Sequence, residues 1–361
     1  MRMSHSSRGK YATCPYSYYL HYIKKIRPNW TSSALLFGDA LDKAINELLL
    51  KTDNLPYETF LKGWTNGFIN KKPVYLPTSE SLLYANKDYN SNLLTKDDYD
   101  EIDKRVKSGE LEDHEYGELV DRKKQFGWEK LSTQQKRYFN FVNWLCMKNK
   151  AKYILEGYEK QILPKLTKIH AVQKEFNVDN GQGDSLTGFI DLIADVEGHG
   201  TVILDNKSSA RLYDWDSPSK SPQLALYEHI EGSTYQTSKV GFIVMLKQLK
   251  DNKQKTCKSC GHVGQGTHKT CDNVVNTKRC GGEWDEVIKL EADFQFLVQE
   301  VDKSFGNMTM ESMDETAQAI NANIFPKNLS SCYDSFGSDC IYLKYCLSSC
   351  KNKTGLTEET E

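Results

Sequence analysis

Asp191, Asp205 and Lys207 are the residues of this 361-residue chain whose types and spacing speak most directly of chemistry. Asp191 closes Gly188-Phe189-Ile190-Asp191, and Leu204-Asp205-Asn206-Lys207-Ser208-Ser209 begins thirteen residues further on. Residues 186–196 are mostly apolar, Gly198-His199-Gly200 supplies a turn, and TVILDNK follows, so the spacing predicts a hairpin with the two aspartates on neighbouring strands. The period of two in a strand puts Asp205 and Lys207 on one face. Two carboxylates and an amine converging on one point suit a hard divalent cation and a water to be activated.

The flanking segments supply the frame. His170 to Val178 alternates Val172, Lys174, Phe176 and Val178, which puts Glu175 on the opposite face. Ser219 to Glu231 predicts a helix starting near Pro222, with Gln223 and Tyr227 four apart on one face. Lys239 to Lys247 is another apolar strand. The order is strand, strand, strand, helix, strand. With Glu175, G-x-x-D, D-x-K and Q-x-x-x-Y threaded through it, this arrangement resembles the PD-(D/E)XK nucleases and, within them, the RecB-type branch. The resemblance implies an α/β mixed-sheet core of the restriction-endonuclease kind. It also implies that Asp191, Asp205 and Glu175 hold Mg²⁺ or Mn²⁺, that Lys207 polarises the attacking water, and that Gln223 and Tyr227 orient the phosphate and the strand. Where the family has G-x-x-x-H at a helix start, this chain has Gly38-Asp39-Ala40-Leu41-Asp42, so Asp42 stands as a further metal ligand in place of histidine.

Ten cysteines in a chain whose start lacks a secretion-signal pattern point to metal sites or buried thiols rather than disulfides. Cys257-x-x-Cys260-Gly261 is a metal knuckle, and Cys271 with Cys280-Gly281 completes a tetrahedral set for Zn²⁺ in an inserted zinc ribbon. His262 and His268 are substitutes, and a redox pair at Cys257 and Cys260 is the rival. RecB-type nucleases of the AddB and CRISPR-adaptation kinds place one cysteine near the start, as C-P, and three near the end. Together these hold a [4Fe–4S] cluster. Cys14-Pro15 and Cys340-x5-Cys346 are similar to that pattern, with Cys332 as the fourth ligand and Cys350 as its competitor; a second zinc site is the alternative. Cys146 reads as core.

Net charge is −2, so nucleic-acid contacts must come from local patches. Residues 1–38 carry Arg2, Arg8, Lys10, Lys24, Lys25 and Arg27 and no acid, interleaved with Tyr11, Tyr16, Tyr18, Tyr19 and Tyr22, a composition suited to stacking bases and holding backbone. Residues 88–121 hold twelve acids, as an acidic outer shell would. No apolar run reaches membrane-spanning length, so the expectation is a cytoplasmic protein.

The expected organisation is a helical N-terminal region over 1–168, a nuclease core over 169–250, the ribbon over 251–285, a core-completing region over 286–350 and a frayed tail over 351–361. Helices are expected from Ala34 to Leu50, from about Thr133 to Gln161, from Asp293 to about Phe305 and near 311–322. A strand from Glu286 to Leu290 is expected to pair back with Val240 to Leu246. The function implied is a DNA nuclease, an exonuclease on single strands or DNA ends in recombination or repair. Its motor would be a separate helicase, because no phosphate-binding loop G-x-x-x-x-G-K-[ST] is present. The alternatives are a non-catalytic DNA-binding scaffold and a restriction-type endonuclease.

Overall fold

The computed structural model describes residues 2–29, 31–64, 68–69, 72–75, 93–111, 132–179, 184–264, 269–333 and 339–358. Its centre is a mixed sheet of six strands: β1 (Arg2–Met3), β2 (Leu166–Asp179), β3 (Ser185–Val196), β4 (Gly200–Ser209), β5 (Lys239–Leu246) and β8 (Phe294–Glu300). Between β5 and β8 a hairpin stem of β6 (Lys250–Cys257) and β7 (Trp284–Glu291) leaves the sheet. β5 lies between parallel β4 and antiparallel β8. All its residues but Lys239 are buried, which is why it reads as an unbroken apolar run: a strand covered on both faces has no polar side.

One feature of the pairing positions the site. β2 runs antiparallel along the whole of β3, from Leu166↔Val196 to Asp179↔Ser185. The other edge of β3 is shared. β4 takes only Leu192 to Val196, and β1 takes only Ser185 and Leu186. Residues 187–191 of β3 therefore face a fork between β1 and the far end of β4, with Asp191 at the point where β4 departs.

The two faces are covered by different layers. On one lie α2 (Ser33–Leu50) and α3 (Thr133–Gly157), packing Phe37, Leu41, Ile45, Val142 and Ile154 against Leu192, Leu204 and Ile243. On the other lie α4 (Pro222–Tyr235) and α5 (Lys303–Asn321), packing Leu224, Ala225, Met313 and Ala317 against Ile193, Ile203, Val240 and Val244. Each fully buried Leu, Ile or Val contributes roughly 1.5–3 kcal/mol. The stripe expected on α2 is the one used: Leu41, Ala44, Ile45 and Leu49 are buried. Ser132 starts α3 with a reciprocal capping box to Gln135, and the helix continues through a wider turn, Tyr158–Ile162.

Three expectations are corrected. Glu286 to Leu290 does not return to Val240–Leu246; it lies in β7, paired to β6 from Lys250↔Glu291 to Cys257↔Trp284. The partner of β5 is β8, from Phe294↔Met245 to Glu300↔Lys239, where a helix from Asp293 was expected. Asp293 caps no helix: its carboxylate accepts from the Phe294 N–H at 3.0 Å and pairs with Lys250 at 2.7 Å, fixing the turn between β7 and β8. In place of the two helices expected at 293–305 and 311–322 stand β8 and the single α5, Lys303–Asn321. The tail is not wholly frayed, because Leu356–Glu358 pairs antiparallel with Ile26–Pro28 and joins the chain ends. Of the acidic stretch, residues 93–111 are described and 88–92 and 112–121 lie outside the described residues. Among the described residues no helix is long and apolar enough to cross a membrane.

Candidate active site

β4 delivers Asp205 and Lys207 to the α4 face. Ile203, two residues earlier, packs with that layer, and the β4–β5 register runs without a break through Asp205↔Phe242 and Lys207↔Val244, so alternation keeps all three on one side. Asp205 is 1% exposed. Its Oδ2 lies 2.6 Å from the Lys207 ammonium. Lys207 Nζ also donates to Gln223 Oε1 at 3.1 Å and lies 5.9 Å above the centre of the Phe242 ring. Gln223 Nε2 in turn donates to the Tyr227 hydroxyl at 2.7 Å. Asp205, Lys207, Gln223 and Tyr227 thus form one connected line, in which the two α4 residues hold the lysine.

Asp191 stands across the fork. β3 breaks its alternation there, since Ile190 packs on the α4 face and Leu192, two residues on, on the α2 face. Asp191 Oδ2 accepts from the Asn206 backbone N–H at 2.9 Å, a bond that bridges the two diverging strands. Tyr158 supports it by donating to Asn206 Oδ1 at 3.3 Å. Gly188 of the G-x-x-D motif faces Phe176, and a β-carbon there would come within 2.6 Å of the Phe176 ring. The glycine is required by that close approach.

Asp42 reaches the group from α2. Its Oδ2 accepts from Gln173 Nε2 at 3.0 Å and from Asn46 Nδ2 at 3.3 Å. Its Oδ1 is buried without a hydrogen-bond partner. Burial, then the Asp191 charge, push Asp42 up to about 7. Burial pushes Asp205 up to about 7 as well, even with the Lys207 ammonium beside it. Asp191 is raised, burial outweighing the Asn206 N–H. Burial would lower Lys207, but the carboxylates of Asp205 and Asp191 hold it above its ordinary value. One buried and two half-buried carboxylates against one ammonium, with a partnerless oxygen among them, make a donor set that fits a hard divalent cation.

Glu175 does not join this group. It is exposed on β2 opposite Phe189. The strand changes face upstream of it while keeping its register to β3: Ala171 and Phe176, five apart, pack on the same face, and Val172 packs on the other. The regular alternation expected from Val172 to Val178 is broken at Gln173, whose φ is 49°. Gln173, absent from the sequence reading, is the β2 residue that touches the carboxylates. His5 was equally hidden. It lies close enough to Lys207 for the ammonium, after burial and Arg8, to lower its pKa, because β1 and α1 (His5–Thr13) border the fork. Of the N-terminal tyrosines, Tyr11 and Tyr18 are core residues of the α4 layer and are not available to stack bases.

The cysteines form two centres. In the ribbon, Cys257 and Cys280 Sγ are 3.6 Å apart, Cys260 and Cys271 3.7 Å, and all four sulfurs lie within 4.8 Å of one another. A tetrahedral ion with Zn–S bonds of about 2.3 Å sets its sulfurs about 3.8 Å apart. Gly261 and Gly281 follow their cysteines with φ of 69° and 62°, the left-handed turn the knuckle needs. His262 packs beside Trp284 instead of replacing a thiolate, and His268 lies outside the described residues. At the chain ends, Cys14, Cys332, Cys340 and Cys346 line one cavity of about 120 Å³ together with Leu20, Leu343 and Leu347. Cys350 is not in that lining; its sulfur lies 3.2 Å from the Tyr16 hydroxyl. Among the described residues only the ribbon cysteines close to single-ion distance.

The sheet forks to present Asp191 opposite an Asp205–Lys207 pair. A family model of the PD-(D/E)XK nuclease superfamily matches residues 92–346, and the chain belongs to that superfamily. No curated protein matches the chain significantly.

Proposed function

We propose that this protein is a divalent-metal-dependent deoxyribonuclease acting on single strands or DNA ends. The observation that carries the reading is the line Asp205, Lys207, Gln223, Tyr227 at the mouth of the fork, with Asp191 and Asp42 facing it. These three carboxylates would hold Mg²⁺ or Mn²⁺, which when bound polarises the phosphodiester and lowers the pKa of a bound water. Lys207, held by Gln223, would polarise the attacking water and offset negative charge gathering on the phosphorus. Gln223 is turned toward Lys207, so its part in the reaction is to fix the ammonium, and Tyr227 fixes Gln223.

Zn²⁺ in the ribbon is supported by sulfur spacings that match a tetrahedral ion. Replacing Cys260 with Ser is expected to remove about one zinc per chain and unfold the ribbon, whose exposed valines and lysines offer no core of their own. The β4–β5–β8 sheet should stay folded, because the stem closes on itself. Elemental analysis and far-ultraviolet circular dichroism check this; zinc absent from the parent protein would reject the site. A [4Fe–4S] cluster at the chain ends is supported by four cysteines around one apolar cavity. With the RecB-type pattern, this carries the finer reading of an exonuclease in recombination or repair, served by a separate helicase.

End-labelled single- and double-stranded DNA and closed circles, each with Mg²⁺, Mn²⁺ or a chelator, test the function. Linear DNA should shorten in either metal and stay intact with chelator. Cleavage of closed circles would replace the exonuclease reading with an endonuclease one. Binding without cleavage in both metals would leave a scaffold.

A further inference from the structure

Gln173 carries a left-handed backbone in the middle of a strand. It lies in the middle of β2, between the pairs Val172↔Leu192 and Lys174↔Ile190, and so opposite Asp191. Its φ of 49° is left-handed, a conformation that L residues other than Asn and Asp adopt rarely and glycine adopts freely. A left-handed residue that served only to turn the strand would be better made with glycine. What glutamine adds is its amide. Gln173 Nε2 donates to Asp42 Oδ2 at 3.0 Å, and the same side chain lies near enough to the Asp191 carboxyl to favour its ionised form. Asp42 comes from α2 and Asp191 from β3, so one side chain stands between carboxylates delivered by two different elements. With Oδ2 taken by Gln173 and Asn46, Asp42 is left with Oδ1 free and buried.

We propose that Gln173 is a positioning residue of the metal-binding group: its amide holds one oxygen of Asp42 and fixes the orientation in which Asp42 offers its free oxygen to a divalent cation. This rests on the carboxylate group being a metal site, as proposed above. It also accounts for the aspartate at position 42. A short carboxylate on a helix needs an outside donor to hold one oxygen while the other binds, and β2 supplies that donor from its left-handed residue.

The test is Gln173→Gly in the intact protein with its cysteine centres filled. Glycine accepts the left-handed backbone without strain, so a purely structural role predicts an unchanged or higher melting temperature in chelator and unchanged metal affinity. A positioning role predicts the same melting temperature with Mn²⁺ binding weakened about 10-fold or more, the usual effect of removing a group that orients a ligand. Mn²⁺ affinity is read by electron paramagnetic resonance, independently of cleavage. Gln173→Asn is the second variant: it also tolerates the backbone, but its amide is one methylene short. In an Asp42→Ala background the loss from Gln173→Gly should shrink, since residues acting through one another are not additive. Parent-like Mn²⁺ affinity in either folded variant would overturn the proposal. A protein that binds Mn²⁺ in a Gln173-dependent way yet cleaves no DNA would refute the nuclease reading and leave this inference standing.

Discussion

Replacing Lys207 with Ala is expected to lower DNA cleavage by about 10²–10³-fold, the usual cost of removing one preorganised group that stabilises developing charge, while DNA binding changes little. The ammonium is fixed at 2.6 Å from Asp205 Oδ2 and 3.1 Å from Gln223 Oε1, so its position is set before substrate arrives. Its loss also strands Asp205, 1% exposed and already pushed up to about 7. Without the lysine, that carboxyl would hold its proton to still higher pH, and the metal would lose a ligand as the water loses its cation. Asp205→Ala should therefore fall at least as far. Asp205→Asn separates the effects, because it keeps the shape and the lysine but not the charge. Initial rates on end-labelled DNA, with anisotropy for binding, decide the matter. Metal-dependent cleavage retained by highly purified Lys207→Ala protein would sink the assignment of the site.

Local rules made most of this site legible. Asp205 and Lys207 share a face because β4 is regular, and Gln223 meets Lys207 because α4 starts at Pro222 and turns that side chain toward the sheet. Gln173 escaped because its left-handed backbone is invisible to a pattern that assumes unbroken alternation, and Glu175 was expected as a ligand from the resemblance alone. β8 escaped for another reason. EVIKL and FQFLVQE are both short apolar-rich runs, and which of them pairs with β5 depends on β6 claiming the first, a choice made by distant pairing. His5 depends on a two-residue strand, Arg2–Met3, too short to carry a pattern. Asp42 was readable by position, but its partnerless Oδ1 belongs to the packed structure alone.

Replacing Cys14 with Ser is expected to act on the whole molecule. Cys14 and Cys332 are 318 residues apart, so a centre shared between them closes nearly the entire chain into one loop. Such closure is worth on the order of 5 kcal/mol when made covalently, and it grows only slowly with loop length. The ends are also joined by Ile26–Pro28 with Leu356–Glu358, and by the Tyr11 hydroxyl donating to the Ile324 carbonyl at 2.6 Å. The variant should therefore fold but melt well below the parent. The effect should reach the reaction centre too, because α1 ends at Cys14 and begins at His5, beside Lys207. Freeing one end of that helix loosens the border of the fork, so cleavage should fall further than Cys350→Ser makes it fall, since Cys350 lies outside the cavity lining. Protein prepared without oxygen should be brown, with broad visible absorption, and Cys14→Ser, Cys340→Ser and Cys346→Ser should each bleach it. Cys332→Ser should bleach it as well and Cys350→Ser should not, which identifies the fourth ligand. Colourless parent protein carrying zinc at both cysteine centres would leave the chain closure intact and exchange the iron–sulfur cluster for a second zinc.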